Sequence, residues 1–326
     1  MKILVIRFSS IGDLVLTTPA LRGLKQQLPS AEIHVLTKSV YAPLLEGLYS
    51  VDRIWNMGEA NLMSQLQQIQ FDAVIDLQNN WRSLLVKLSL WSVPNYTYNK
   101  KSIQRWLFVN TKWAHFKVNH VCDRYWETVF PLGVLPDKQG IELPSYRVEI
   151  QDNIAQVKPF VVAILGATYT TKKIPKELWI QALDSIHLPV VLIGGDLDFA
   201  LAQELTALLP QRVINCVGKL SLQASAKYIE NCQFAMGGDT GFTHIARAYK
   251  KSILVIWGNT HPGLGFSPDW QITERDGSVL HMLPQNLSCH PCTKLGYEVC
   301  PRHHFHCMKQ HSGKQLTLLL ENLQAN

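Results

Sequence analysis

A chain of 326 residues with 47% hydrophobic content is too long for one ordinary core and suits two globular domains. No apolar run approaches the roughly 18 residues needed to cross a bilayer, and the N-terminus enters a strand without a signal peptide's layout, so a soluble cytoplasmic protein is expected. The seven cysteines fit that compartment as thiols or metal ligands, since disulfides are rare there, and the formal net charge is +6.

The chain begins with Lys2-Ile3-Leu4-Val5-Ile6-Arg7-Phe8, a nearly continuous apolar strand of the kind buried in a parallel sheet. The loop Ser9-Ser10-Ile11-Gly12-Asp13 follows, and a helical pattern then carries Leu16, Ala20, Leu21 and Leu24 on one face. Strands are expected over 32–37, 52–57 and 71–77, with helices over 40–48 and 60–69. Regularity fades from Val134 to Lys158, where Pro136, Gly140 and Pro144 punctuate a polar stretch. The boundary is placed there, with a first domain over 1–152 and a second over 153–326. A second alternating series then gives strands over 160–165, 190–194, 213–216, 234–237 and 252–257, and helices over 175–186, 199–209, 222–231 and 243–249. Such alternation predicts two doubly wound α/β domains that bind ligands beyond the carboxyl ends of their strands, in the cleft between them. A C-terminal helix closes the chain.

Charge is distributed unevenly. From Leu77 to Cys122 there is no Asp or Glu, while Arg82, Lys87, Lys100, Lys101, Arg105, Lys112 and Lys117 account for the whole excess positive charge. Trp81, Trp91, Trp106 and Trp113 are interleaved with them. Basic and amphipathic aromatic side chains together suit a lipid headgroup layer or a phosphorylated glycolipid. Nucleic acid would satisfy the charge equally well, and a solvated face with its tryptophans in the core is the plain alternative.

Two loops have the composition of anion sites. In Phe234-Ala235-Met236-Gly237-Gly238-Asp239-Thr240-Gly241-Phe242-Thr243-His244 a short apolar run reaches two glycines, then a carboxylate, a hydroxyl and a third glycine where a helix begins. Free backbone N–H groups and the positive end of the helix dipole make such a place receptive to phosphate; the plain reading is that Asp239 or Thr240 is an N-cap. The loop Gly166-Ala167-Thr168-Tyr169-Thr170-Thr171-Lys172-Lys173-Ile174-Pro175 offers small and hydroxyl residues, two lysines and a proline at a helix start. It is not a Walker A loop, and no GxGxxG follows the first strand, which speaks against a nicotinamide-dependent oxidoreductase.

Three motifs together resemble glycosyltransferase family 9, the lipopolysaccharide heptosyltransferases of GT-B fold. They are Ile6-Arg7-Phe8-Ser9-Ser10-Ile11-Gly12-Asp13 leading into Thr17-Thr18-Pro19-Ala20-Leu21, then Gly166-Ala167-Thr168 with Thr171-Lys172, then Asp239-Thr240-Gly241-Phe242-Thr243-His244. The likeness covers essentially the whole chain in order and spacing. It implies that Asp13 is the general base, with Ser9, Ser10 and Gly12 on the acceptor side. It implies a donor site of Thr168, Lys172, Asp239, Thr240, Gly241 and His244, in which Lys172 neutralises the pyrophosphate and Asp239 lies on the sugar side. Asp196 matches an acidic residue near the ribose and Leu220 an apolar residue against the adenine. The implied reaction is an inverting, metal-independent transfer of a heptose or related sugar from an ADP-sugar to an inner-core lipopolysaccharide hydroxyl. No cofactor is expected for catalysis, because a lysine and backbone amides already meet the phosphate charge. The plain alternative for Asp13 is a helix N-cap. The chain departs from the family pattern at Tyr169, at Ile174, and at His261, which stands where an acidic residue is usual. A sugar-nucleotide epimerase of the same architecture, or transfer from another nucleotide sugar, is the rival reading.

An anionic glycolipid acceptor would place the enzyme peripherally on the cytoplasmic face of the inner membrane, with Lys100, Lys101 and Arg105 among the contacts; nucleic acid is then not a partner. The tail Cys289-x2-Cys292-x7-Cys300-x6-Cys307, with His290, His303, His304 and His306 nearby, has four thiols in a span that one tetrahedral structural zinc could collect. Two disulfides or plain buried thiols are the alternatives.

Overall fold

The structure, a computed structural model, describes residues 1–150, 159–273 and 276–325. The chain forms two compact units, one of Met1–Ser102 with Asn119–Pro144, the other of Ile103–Val118 with Ser145–Asn326. The expected boundary at 152/153 lies outside the described residues.

The first unit holds a parallel sheet of β1 (Lys2–Ile6), β2 (Glu32–Lys38), β3 (Arg53–Met57), β4 (Ala73–Asp76) and β5 (Asn95–Thr97), in the order β3-β2-β1-β4-β5. The central β1 is buried along Ile3–Ile6, as its unbroken apolar run requires when helices cover both faces. Around the sheet run α1 (Ile11–Val15), α2 (Thr18–Gln27), α3 (Leu62–Gln68), α4 (Trp81–Ser89) and α6 (Val121–Val129). The short α5 (Ser102–Thr111) leads into the second unit. The helix expected over 40–48 is instead a single 3-10 turn, Ala42–Leu44: Pro43 supplies no N–H to continue it and Gly47 takes a positive φ of 83°. Segment 134–144 is fastened to α2 by Arg22, which is 1% exposed and pairs with Asp137 at 2.6 Å and Glu142 at 3.1 Å.

The second unit repeats the plan. Its parallel sheet comprises β6 (Val161–Ile164), β7 (Val190–Ile193), β8 (Val213–Asn215), β9 (Phe234–Gly238), β10 (Ser252–Ile256) and β11 (Val279–Met282), in the order β11-β10-β9-β6-β7-β8. Helices α7 (Lys176–Ser185), α8 (Phe199–Leu208), α9 (Leu222–Asn231), α10 (Gly241–Ala248), α11 (His306–Lys309) and α12 (Gly313–Ala325) complete it. The core joins Val161, Ala163, Trp179, Leu192, Met236 and Leu254 to Leu316, Leu320 and Leu323 of α12. In both sheets the order reverses beside the first strand, between β1 and β4 and between β6 and β9. Loops leaving adjacent strand ends diverge there, opening the crevice in which doubly wound sheets bind ligands.

Candidate active site

At the β1/β4 reversal of the first unit sits Asp13. The N-cap of α1 is Ser10, and Asp13, three residues in, reaches back to accept from the Ser10 N–H at 3.0 Å and its hydroxyl at 3.1 Å. The N-cap anticipated for Asp13 is therefore Ser10. Arg7 closes the group: its guanidinium lies 2.7 Å from Asp13 Oδ2 and donates to the carbonyls of Ser9 and Leu77. Burial works to raise the Asp13 pKa, but the Arg7 charge and the Ser10 hydrogen bonds outweigh it, and the carboxyl falls below its ordinary range. Asp13 is thus ionised at neutral pH, with 21% of its side chain exposed. Gly12 is buried beneath it, and Gln78, in the loop after β4, accepts from the Phe8 N–H at 2.9 Å. Arg7 was not singled out from sequence; the signal was a lone charge ending a strand that otherwise reads as buried.

At the β6/β9 reversal of the second unit, Lys172 Nζ and Asp239 Oδ2 lie 2.6 Å apart, and the Thr260 hydroxyl donates to the same oxygen at 2.7 Å. Burial again raises the Asp239 pKa, but Lys172 and Thr260 overcome it, leaving the carboxyl depressed. Thr240 is the N-cap of α10, whose first residues Gly241 and Phe242 carry free-ended N–H groups beside the pair, and His244 is buried one turn on. The 3-10 turn Thr170–Lys172 passes so close to β9 that a Cβ on Gly238 would lie 2.4 Å from the Lys172 carbonyl oxygen. Among the described residues, the network of hydrogen bonds and ion pairs gathers Lys172, Asp239 and Thr260. Thr168 is exposed in the same loop, Leu220 is half-buried after β8, and Asp196 is exposed in a turn. In that turn the buried carboxylate is Asp198, which takes Lys173 at 2.7 Å and the Gly195 N–H at 3.1 Å. Thr260, missed from sequence, lies in the loop that follows β10, the strand beside β9.

The loop after β10 also leads to the cysteines. Cys289, Cys292, Cys300 and Cys307 line one cavity of about 160 Å³ with Thr171 and His304. All seven cysteines are free thiols, so the disulfide alternative is not realised. Cys289 Sγ lies 3.9 Å from His304 Nε2, and among the described residues no three His, Cys, Asp or Glu side chains close into a metal-ligand group. Burial and the neighbouring thiols push Cys307 up to about 12. For Cys300 burial also acts upward, but backbone N–H groups of 302–305 turned toward its sulfur prevail and lower it. The segment grips the Lys172 loop, because Tyr297 N–H donates to Thr171 Oγ1 at 2.8 Å and the Thr171 hydroxyl donates to the Tyr297 carbonyl at 2.8 Å. Beside it, burial and His290 bring the His261 pKa down to about 4, so the residue standing where the family has an acid is a neutral ring that accepts from Gly263 N–H at 2.8 Å.

The basic run divides. Arg105 is 7% exposed, donates to the Lys294 carbonyl at 3.1 Å and stacks over Phe266. It is therefore not available at a lipid surface, because α5 turns its Arg105, Phe108 and Val109 side into the second unit. Lys100 and Lys101 are half-buried. The four tryptophans, in contrast, are all exposed.

Two parallel doubly wound sheets, each with a charged cluster at its order reversal, are the architecture of the GT-B fold. Residues 60–284 match glycosyltransferase family 9 (heptosyltransferase), and the chain belongs to that family. It is 24% identical over 294 residues to lipooligosaccharide heptosyltransferase 2 of Haemophilus influenzae, covering 80% of this chain and 84% of that one. The structure of a family 9 glycosyl transferase from Veillonella parvula has the same fold at a TM-score of 0.75 and 19% identity, covering 99% of this chain and 96% of that one. That of E. coli heptosyltransferase WaaC with ADP gives 0.68 at 18% identity, covering 99% and 100%. Among the described residues no helix is long and apolar enough to cross a membrane.

Proposed function

We propose that this glycosyltransferase moves a heptose, or a closely related sugar, from an ADP-sugar to a hydroxyl of an inner-core lipopolysaccharide acceptor, with inversion and without a catalytic metal. The observation that carries this is the pair of clusters, Arg7–Asp13 in one unit and Lys172–Asp239–Thr260 in the other. A single displacement needs a base for the acceptor hydroxyl and charge stabilisation for the leaving diphosphate, and each unit supplies one of them. Asp13, kept ionised by Arg7, accepts the hydroxyl proton as the oxygen attacks the anomeric carbon. Its low pKa makes it a weak base at rest, so the proton moves late, once the attacking oxygen has become acidic. A donor diphosphate competes with the Asp239 carboxylate for Lys172 and meets the N–H groups that open α10. Asp239, held by Thr260, is then free to accept from sugar hydroxyls. Thr168, Asp196 and Leu220 flank the donor as phosphate, ribose and adenine contacts. The names of the relatives support heptose and lipopolysaccharide, and such an acceptor puts the enzyme peripherally on the cytoplasmic face of the inner membrane. The four tail thiols fit a structural zinc in donor type and number, and this clasp would steady the Lys172 loop through Tyr297.

The test is Asp13→Asn, whose amide can still accept from Arg7 and Ser10. Transfer should fall about 10²–10⁴-fold, the usual share of a general base, while ADP binding stays close to wild type; the buried Arg7 loses its counter-charge, so the variant should melt lower yet remain folded. Undiminished transfer removes Asp13 from this role.

A further inference from the structure

One helix of the first unit, α4, is apolar on its outward face as well as its inward one. In α3 the positions facing solvent are Ser64, Gln67 and Gln68, as expected of a helix lying on a sheet. In α4 only a narrow stripe packs inward: Ser83 and Val86, followed by Leu90, with Val86 and Leu90 joining Leu4, Ile6 and Phe8 in the core. The outward face carries Trp81 at 66% exposure, Leu84 at 50%, Leu85 at 51% and Leu88 at 59%, with Trp91 at 82% just past the helix end. These fall at i, i+3, i+4, i+7 and i+10, a second apolar stripe about two turns, or roughly 10 Å, long from Trp81 to Leu88. A contiguous patch of this kind calls for an occupant.

The charges around it say which. The chain has no Asp or Glu from Leu77 to Cys122, and the carboxylate that precedes this run, Asp76 at the end of β4, is fully buried and paired with Lys87 at 3.1 Å. Arg82 is exposed beside the stripe, its guanidinium 5.1 Å from the Trp81 ring centre. Indoles at both ends, leucines between and positive charge at the edge match the layering of an anionic membrane surface: apolar acyl chains, an interfacial zone favoured by tryptophan, then negative headgroups. A protein groove would ask for no such uniform sign of charge.

Position in the fold adds to this. The loop joining β4 to α4 is bonded to the Asp13 loop through Arg7 and the Leu77 carbonyl and through Phe8 and Gln78. The Trp81 end of the stripe and the Asp13 carboxylate thus sit at the same edge of one sheet. We propose that α4 docks this enzyme on an anionic phospholipid bilayer, with Trp81, Leu84, Leu85, Leu88 and Trp91 entering the interface. The proposal rests on the lipid-linked acceptor proposed above and names the surface that meets the lipid. It moves the contact from Lys100, Lys101 and Arg105 to the apolar face of α4.

The experiment is co-sedimentation of the full chain with vesicles of phosphatidylcholine containing 30% phosphatidylglycerol. Wild type should bind, less so at high salt or on phosphatidylcholine alone. The triple variant Leu84→Gln, Leu85→Gln, Leu88→Gln should bind at least tenfold more weakly with an unchanged circular dichroism spectrum, because the three side chains leave the core untouched. Trp91→Ala and Arg82→Gln, measured separately, should each weaken binding by a smaller factor, so a poorly folded triple variant does not decide the matter. Wild-type protein that ignores vesicles, or variants that bind like wild type, overturn the proposal. So does a wild-type dimer that the triple variant disperses, for the stripe is then a contact between copies. Transfer to a delipidated, water-soluble acceptor separates the two readings. Vesicle binding with no such transfer by wild type defeats the proposed function and leaves α4 as the docking face, whereas transfer without vesicle binding defeats the docking face alone.

Discussion

Lys172 and Asp239 hold each other 2.6 Å apart with about 16% and 15% of their side chains exposed, and removing one strands the other. In wild type the Asp239 pKa is depressed, so its contribution to stability is present above the unfolded value near 4 and is lost as pH falls through the folded value. In Lys172→Met the burial that acts upward loses its largest opponent, and the Asp239 pKa rises. A carboxyl with a raised folded pKa destabilises increasingly as pH climbs above its unfolded value. Lys172→Met should therefore be less stable than wild type by about 1–3 kcal/mol at pH 7, with the gap narrowing toward pH 4, when followed by thermal melts across that range. ADP affinity measured by calorimetry should fall about 10–100-fold, the loss of one charge-assisted phosphate contact. A gap that is flat with pH, or unchanged ADP binding, would put Lys172 outside the donor site.

Among the elements, β9 and the 3-10 turn Thr170–Lys172 decide where the donor loop lies. Their contact is possible because position 238 has no side chain, and a Cβ there would meet the Lys172 carbonyl oxygen at 2.4 Å. That oxygen is backbone and cannot swing aside as a flexible side chain would. Gly238→Ala should shift the turn and cost about 1–3 kcal/mol, as overpacked sites do, weakening ADP binding with Lys172 still in the chain. A variant as stable as wild type with full ADP affinity would show that the turn yields freely. The other side of the turn is held by Thr171 and Tyr297, so strain there passes into the cysteine segment.

For the molecule as a whole, that segment is a clasp over the second unit. It runs from Cys289 past the Lys172 loop to Cys307 on α11, and α12 then packs back on the core through Leu316, Leu320 and Leu323. With a structural metal in the cysteine cavity, protein grown with zinc should carry about one zinc per chain by elemental analysis, set by four-thiolate stoichiometry. Chelation or Cys292→Ser should lower the melting temperature by several degrees, as expected from losing 1–2 kcal/mol in a unit of this size. Metal-free protein that melts like the zinc-loaded form would make the thiols plain packing groups.

The sequence by itself determined the sheets and the positions of their loops. Unbroken apolar runs such as 3–6, 161–164 and 234–236 can be buried only in parallel strands covered on both faces, and a polar loop after such a strand marks a ligand-binding edge. Asp13, Lys172 and Asp239 were legible because they stand in those loops. The strand order was not legible, since pairing is a choice among distant partners, and it alone brings the β6 loop against the β9 loop. The short edge strands β5 and β11 were missed for want of a periodic pattern. Arg7, Thr260 and the burial of Arg105 depend on side chains far away in the sequence. The outward stripe of α4 is the clearest case: the sequence showed its tryptophans only as companions of basic residues, and the packed structure alone reveals a helix there with an apolar face that the rest of the described chain leaves uncovered.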